Sequence, residues 1–219
     1  MKKPKLVIFD MDGLMLDTEP LVITGMKAAV RDLHITIPDE LLKNIIGLNR
    51  DLRKIKMREA LGQNFDYDMA ESLCLKGIDE IFEKHGVPLK PGLLRLLDKL
   101  EQLGIRKAVA TSTMYNRAKS KLTKANIAHR FEAIIGGDMV ANSKPAPDIF
   151  LEAAGALNVP PADCIVLEDS NPGAEGACRA GMRVIVVPDL VPPSDTTRKQ
   201  AFAICESLND VYEIIRRLK

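Results

Sequence analysis

Short runs of apolar residues rich in Val and Ile recur along this chain: KLVIF, KAVAT, EAIIG, CIVLE and RVIVV. Unbroken apolar runs of this kind are typical of strands that are buried on both faces. Between them lie stretches with apolar residues three or four positions apart: PGLLRLLDKLEQLG, MYNRAKSKLTKAN, DIFLEAAGALN and GAEGACRAG. This alternation predicts an α/β fold, a doubly wound parallel sheet with helices on both faces. A short strand at 202–204 and a helix in NDVYEIIRRLK complete the prediction.

One interval interrupts this alternation. Roughly seventy residues separate the first strand from the PGLLRLL helix, far more than a crossover between parallel strands requires. Apolar residues recur at helical spacing throughout the interval, in PLVITGMKAAVRDLH, PDELLKNIIG, NRDLRKIKMREALG and DYDMAESLCLKGIDEIFEKHG. We therefore predict an inserted, all-helical cap over residues 16–87 and an α/β core formed by residues 1–15 and 88–219. The proline-bracketed segment HGVPLKPG is expected to be a hinge or linker.

Composition limits the kinds of partner. The 219 residues allow one well-buried core and a small satellite, and 46% hydrophobic with 28% charged residues is typical of a folded domain. Lys and Arg total 31 against 30 acids, so no global field attracts nucleic acid or an anionic membrane. Asp10 and Asp12 make the first apolar stretch too short for a signal peptide, and we expect a cytoplasmic protein. The four cysteines have no zinc or redox spacing and are expected to be free, buried thiols.

Polar side chains follow the predicted strands, at the edge where open parallel sheets bind ligands. Asp10 and Asp12 follow the first strand, and because residues two apart in an extended segment point the same way, both carboxylates would face the crevice. Gly13 then permits a sharp change of direction. With Asp169, and with Glu168 as an additional candidate, they make an all-oxygen set that suits Mg²⁺. The loops after the other strands add hydroxyls and one cation: Thr111, Ser112, Thr113 and Lys144.

Such a set suits phosphoryl transfer. Asp10 would attack phosphorus and form an aspartyl phosphate, while Asp12 would serve first as acid and then as base. Lys144 would offset the negative charge of the phosphoryl oxygens, and the hydroxyls and N–H groups of residues 111–113 would bind the same anion. Taken singly, Thr111, Lys144 and Asp169 are more often a strand-end cap, a solvated loop charge and a turn residue that caps the following helix. Only their combination indicates function.

The segments FDMDGLMLDTEP, ATST, SKPAPDIF and VLEDSNPG, in this order, resemble the four motifs of the haloacid dehalogenase superfamily, which has a Rossmann-like core. The insert resembles the helical cap of the subgroup that includes β-phosphoglucomutase and many sugar phosphatases. The resemblance covers the whole chain. It implies that Asp10 is the nucleophile, that Asp12 is the acid/base with its carbonyl on Mg²⁺, that Thr111 and Lys144 bind the phosphoryl group, and that Asp169 is a metal ligand.

The same resemblance implies a supporting or ligand role for Glu168. Ser112 and Thr113 are expected to contact substrate because of their position at the end of the second strand. The segment GLNR, residues 47–50, resembles a GxxR sequence that contacts substrate in relatives, which makes Arg50 a candidate for a sugar or a second phosphate; Arg50 could equally begin a polar helix face. Mutase members carry histidine at the position of Val22. This difference favours a phosphatase.

We therefore expect a phosphoric monoester hydrolase of the haloacid dehalogenase type, dependent on Mg²⁺ and acting on a small phosphorylated metabolite, with a sugar phosphate as the expected class. A monomer without nucleic-acid or membrane partners is expected. The alternative is a sugar-phosphate isomerase of the β-phosphoglucomutase type. A phosphorylated receiver module and a true dehalogenase fit less well, because neither requires Asp12.

Overall fold

A computed structural model describes residues 2–33, 35–45, 48 and 50–218. It contains a six-stranded sheet whose strands are β1 (Leu6–Phe9), β2 (Arg106–Ala110), β3 (Ala133–Ile135), β4 (Cys164–Glu168), β5 (Arg183–Val186) and β6 (Ala203–Ile204). Every strand pair is parallel, and the order across the sheet is β3-β2-β1-β4-β5-β6. The chain therefore winds in both directions from β1, and the predicted doubly wound sheet is confirmed.

The central strands form where the sequence predicts them, within one residue at each end. Every residue of β1 and of β4 is buried, because helices cover both faces of the sheet and only apolar side chains fit there. In the register of the sheet, Phe9 lies beside Val109 of β2 and Leu167 of β4. The residues that follow these strands consequently emerge side by side at one edge.

Ten α-helices occur in the described part of the chain: α1 (Glu19–Asp32), α2 (Asp39–Ile45), α3 (Arg50–Leu61), α4 (Tyr67–His85), α5 (Leu93–Gln102), α6 (Tyr115–Lys124), α7 (Asp148–Ala156), α8 (Asn171–Arg179), α9 (Asp195–Gln200) and α10 (Leu208–Ile215). The sequence analysis missed α9 because its sequence, DTTRKQ, lacks apolar periodicity. Its start is set by Ser194, whose hydroxyl accepts from the backbone N–H of Thr197.

Helices α1 to α4 occupy the predicted insertion, and α1 packs along α4. The start of α4 is capped by Asp66, whose carboxylate accepts from the N–H of Met69 at 3.0 Å, so the Asp66 and Asp68 pair marks a helix start. Buried apolar side chains of these helices form one continuous cluster with those on one face of the sheet. The exact division at residues 16 and 88 stays a prediction.

The two chain segments that join α1–α4 to the sheet run side by side. The N–H of Asp17 donates to the carbonyl of Pro88 at 3.0 Å, and the N–H of Lys90 donates to the carbonyl of Met15 at 2.9 Å. The Lys90 ammonium also pairs with Asp17 at 3.0 Å and with Asp189 at 2.6 Å. The entry and exit of the inserted helices are thus tied to each other and to the segment after β5.

Within the described residues, no helix is both long and apolar enough to cross a bilayer. The cysteines are free thiols, as predicted: Cys74, Cys164 and Cys205 are buried, and Cys178 is partly exposed.

Candidate active site

A cleft of about 220 Å³ opens where β1 and β4 end, below helices α1, α3 and α4. This is the point at which the strand order reverses, where ligands bind in open α/β sheets. Predicted site residues that line the cleft are Asp10, Asp12, Arg50, Ser112, Thr113, Lys144 and Asp169. Side chains from the sheet edge and from the inserted helices therefore face one space.

Lys144 holds two carboxylates at the floor of this cleft. Its ammonium donates to Asp10, to Glu168 at 2.6 Å and to the carbonyl of Ala110 at 3.3 Å, and the side chain is buried. Burial raises the pKa of Asp10 to about 7, a rise that Lys144 opposes and Glu168 increases. Lys144 thus supplies the positive charge that keeps a buried Asp10 available as an anion.

Glu168 has both carboxylate oxygens engaged. One accepts from Lys144, and the other accepts from the N–H of Ser170 at 2.8 Å and from its hydroxyl at 2.9 Å. The residue is fully buried, and Gly173 lies against it so closely that a Cβ there would meet the Glu168 carboxylate at 1.7 Å. In this arrangement Glu168 supports Lys144, and the ligand role predicted for Glu168 stays a prediction.

Asp169 has no hydrogen-bond or ion-pair partner among the described residues. Burial raises its pKa well above the ordinary value, and the nearby Glu168 and Asp10 raise it further. Three carboxylates therefore face one ammonium, which leaves excess negative charge at the cleft floor. Gly13, at φ +85°, allows this approach, since a Cβ there would lie 2.3 Å from the Asp169 carboxylate.

This donor set fits a divalent cation with oxygen ligands. Among the described residues, no three His, Cys, Asp or Glu side chains are arranged to hold a metal by themselves. Mg²⁺ nevertheless binds typically through one or two carboxylates together with water and substrate phosphate. Asp10 and Asp169 supply such a pair, and the resemblance assigns the carbonyl of Asp12 as a further ligand.

The Asp12 carboxylate has partners of its own, among them Lys121 of helix α6. It accepts from the Lys121 ammonium at 2.6 Å, from the Thr18 hydroxyl at 2.7 Å and from the Thr113 hydroxyl at 2.8 Å. Burial would raise the pKa of Asp12, but Lys121 and the two hydroxyls hold it below the ordinary value. The two aspartates of the first motif therefore have oppositely shifted pKa values.

The hydroxyl residues after β2 take different positions. Thr111 is buried, accepts from the N–H of Thr113 at 3.1 Å and is not among the side chains that line the cleft. Ser112 lines the cleft, and Thr113 lines it while donating to Asp12. The roles of these three residues in phosphate or substrate binding stay predictions.

Arg50 lies at the start of α3 and lines the cleft, but acidic residues of α4 engage its guanidinium. It donates to Asp68 and, at 2.6 Å, to Glu71, and it lies 6.0 Å from the centre of the Tyr67 ring. Gly47, the first residue of the GxxR segment, is outside the described residues. The substrate contact proposed for Arg50 is therefore not tested, and in this arrangement its charge is already paired.

Sequence reasoning missed several polar cleft residues, among them Thr18, Glu19, Arg53 and Lys121. A signal existed for Lys121, because Met114, Arg117 and Lys121 recur at helical spacing directly after the ATST motif and share one face of α6. The position of Arg53 had no such signal, since it depends on how α3 packs on its neighbours.

Comparison with known proteins agrees with this fold and site. A model of the haloacid dehalogenase-like hydrolase family matches residues 7–187. A phosphatase of phosphorylated carbohydrates from Thermotoga maritima is 30% identical over 185 residues, which cover 82% of each protein. The crystal structure of CbbY from Rhodobacter sphaeroides with xylulose-(1,5)bisphosphate is 25% identical, with a TM-score of 0.76, and the match covers 94% of this chain and 96% of that one. A β-phosphoglucomutase from Clostridium difficile is also 25% identical, with a TM-score of 0.79 and coverage of 97% and 96%.

The fold and site thus define a hydrolase with a doubly wound core and helices inserted after its first strand. The chain belongs to the haloacid dehalogenase-like hydrolase family. The predicted enzyme class, a phosphoric monoester hydrolase of this type, is confirmed.

Proposed function

We propose that the protein is a Mg²⁺-dependent phosphatase that hydrolyses a small phosphorylated metabolite, a sugar phosphate, through an aspartyl phosphate on Asp10. The observation that carries the proposal is the convergence of Asp10, Lys144, Glu168 and Asp169 at the sheet edge, with Asp12 nearby on a separate ion pair. The named activity of the Thermotoga relative and the bisphosphate bound to CbbY support the substrate class.

In the first step, an Asp10 oxygen attacks phosphorus, the ester P–O bond breaks, and the leaving oxygen takes a proton from Asp12. In the second step, water attacks the phosphorus of the aspartyl phosphate and gives its proton to Asp12, which releases phosphate and restores Asp10. Lys144 balances the charge of Asp10 and of the phosphoryl oxygens throughout. A bound Mg²⁺ would supply further positive charge at the phosphoryl oxygens.

The environment of Asp12 suits the second step as it stands. Its lowered pKa keeps the carboxylate ionised, which is the form that can accept a proton from water. To donate a proton in the first step, the carboxyl must leave Lys121 and turn toward the substrate. Substrate binding and movement of the inserted helices are the expected causes of that turn.

The test is hydrolysis of p-nitrophenyl phosphate with Mg²⁺, comparing the wild type with Asp10→Asn. We expect turnover by the wild type and at least about a thousandfold loss in the variant. Exposed Asp195, at the start of α9, provides the matched control, because Asp195→Asn removes the same charge from a residue that does not line the cleft. Mass spectrometry after acid quenching should find one phosphoryl group on the peptide that contains Asp10. Equal turnover by wild type and Asp10→Asn would refute the assigned nucleophile.

The second candidate is an isomerase of the β-phosphoglucomutase type, which the Clostridium difficile structure brings into consideration. Val22 lines the cleft, and it stands where mutase members carry histidine, so the side chain at that position cannot exchange protons here. Incubation with β-glucose 1-phosphate separates the two functions. Free phosphate as the main product supports the phosphatase, whereas accumulation of glucose 6-phosphate supports the isomerase.

A further inference from the structure

A carboxylate beside the cleft has one oxygen that nothing in the described structure satisfies. Asp189 follows β5, and its side chain is only 10% exposed. The Lys90 ammonium donates to its Oδ1 at 2.6 Å, whereas Oδ2 is buried and finds no donor among the described residues. A buried acceptor without a partner is unfavourable, typically by about 1–3 kcal/mol and by more in a charged group, so this oxygen requires an explanation.

The free oxygen lies close to a residue that would hold Mg²⁺. The position that a Cβ on Gly13 would take is 2.3 Å from Asp169 Oδ2 and 3.4 Å from Asp189 Oδ2. The two carboxylate oxygens therefore cannot be further apart than these two distances together. A single water molecule can bridge oxygens at such a separation, because each of its hydrogen bonds spans about 2.5–3.0 Å.

Negative charge at this point is not balanced by a nearby cation. Asp169 has no hydrogen-bond or ion-pair partner among the described residues, and Lys90 binds the other oxygen of Asp189. The charge of Asp189 also acts on the cleft: burial raises the pKa of Glu19, a cleft residue, to about 7, and Asp12 and Asp189 raise it further. A hydrated cation beside Asp169 would relieve this excess of negative charge.

Lys90 fixes the orientation of the Asp189 carboxylate. Its backbone N–H donates to the carbonyl of Met15 at 2.9 Å, and its ammonium also pairs with Asp17 at 3.0 Å. The ammonium is therefore held from two sides while it binds Oδ1 of Asp189. This leaves Oδ2 as the oxygen that adjoins Gly13.

We propose that Asp189 is an outer-sphere residue of the Mg²⁺ site, whose free oxygen accepts a hydrogen bond from the hydrated cation that Asp10 and Asp169 hold. The proposal rests on the Mg²⁺ dependence given above. Mg²⁺ dehydrates reluctantly and keeps several waters in protein sites, and these waters need acceptors. Replacement of a residue that supports metal ligands in this way typically weakens metal binding by about tenfold to a hundredfold. Asp189 is thus a positioning residue that sets the affinity for the cation.

The test is isothermal titration calorimetry with MgCl₂, comparing the wild type with Asp189→Asn. In the variant, the amide oxygen is expected to accept from Lys90, which places the NH₂ group, a donor, where the free oxygen was. We expect the Kd for Mg²⁺ to rise by about tenfold to a hundredfold. Asp17→Asn is the matched control, because it removes the same charge from the same ammonium at a side chain that is 44% exposed. Its Kd should change by less than about threefold.

Kinetics separates this role from a general structural one. With p-nitrophenyl phosphate, the Mg²⁺ concentration that gives half-maximal turnover should rise in Asp189→Asn by the same factor as the Kd. At saturating Mg²⁺, kcat should stay within about threefold of the wild type. Asp189→Ser, which also removes the charge, provides both measurements if Asp189→Asn does not fold.

The outcomes are distinct. An unchanged Kd in Asp189→Asn, an equal rise in Asp17→Asn, or a loss of kcat that saturating Mg²⁺ does not restore would overturn the proposal. If the wild type itself binds no Mg²⁺, the role of Asp189 is overturned together with the metal site. Absence of phosphate release from every ester would overturn the phosphatase function instead, and calorimetry, which needs no turnover, would still decide the role of Asp189.

Discussion

Replacing Lys144 with methionine should destabilise the protein as well as inactivate it. Methionine has a similar length but leaves Glu168 and Asp10 buried without a cation. Removal of one partner from a buried ion pair typically lowers the free energy of unfolding by about 3–5 kcal/mol. For a chain of this size, such a loss corresponds to a fall in Tm of about 6–20 °C.

The loss of unfolding free energy in Lys144→Met should depend on pH, and the direction of this dependence follows from the pKa of Asp10. Its pKa in the folded state is raised from 3.8 to about 7, so protonation favours the folded state. The stability associated with this carboxyl is therefore fully present below pH 3.8 and is lost as the pH rises through about 7. Lys144 opposes this rise in the pKa of Asp10. In the variant that lacks Lys144, the loss of unfolding free energy relative to the wild type should therefore increase between pH 5 and pH 8.

The assay is urea unfolding followed by circular dichroism, in buffer with EDTA so that no metal compensates for the lost charge. Lys56→Met is the control for the same substitution at an exposed site and should lie within about 0.5 kcal/mol of the wild type. The double variant Lys144→Met/Glu168→Gln should recover about half of the loss, because the buried charge is gone, without recovering activity. A loss below about 1 kcal/mol, or one that is equal at pH 5 and pH 8, would refute this account of the cleft floor.

Two further predictions concern the neighbouring contacts. Gly173→Ala places a Cβ 1.7 Å from the Glu168 carboxylate and should lower Tm by several degrees. The control is Gly155→Ala in α7, which has open space around it and should leave Tm unchanged or raise it slightly. Equal Tm values for the two variants would contradict the close packing at Glu168. Lys121→Met removes the ammonium that holds down the pKa of Asp12. Because Asp12 must be protonated to act as the acid of the first step, the basic limb of the profile of kcat/KM against pH should move to higher pH, and an unchanged limb would dissociate Lys121 from the acid/base step.

Much of the fold could be predicted because its signals are local. The Val- and Ile-rich runs of β1 and β4 are buried on both faces, so they need no polar alternation and stand out in the sequence. The placement of Asp10 and Lys144 in one cleft follows from parallel topology, since the loops after neighbouring strands meet at one edge. By contrast, α9 is short and polar, and only a capping serine marks it.

Side-chain partners could not be predicted in the same way. The sequence places Arg50 and Arg53 in one helix three residues apart, with nothing to distinguish their charges. Their different situations arise from α4, which brings Asp68 and Glu71 to Arg50 and leaves Arg53 without an acidic contact in the described structure. Similarly, Asp12 pairs with Lys121, which lies 109 residues further along the chain. Such pairings depend on tertiary packing, which local patterns do not encode.

Because residues 15–17 and 88–90 run side by side, the segment between them can be replaced as a unit. A piece of chain whose two ends adjoin can be exchanged or lengthened without altering the register of the strands on either side. Recombination at these two points would place different helices over the same reaction centre. Proteins of this architecture can therefore acquire new substrates while the sheet stays unchanged.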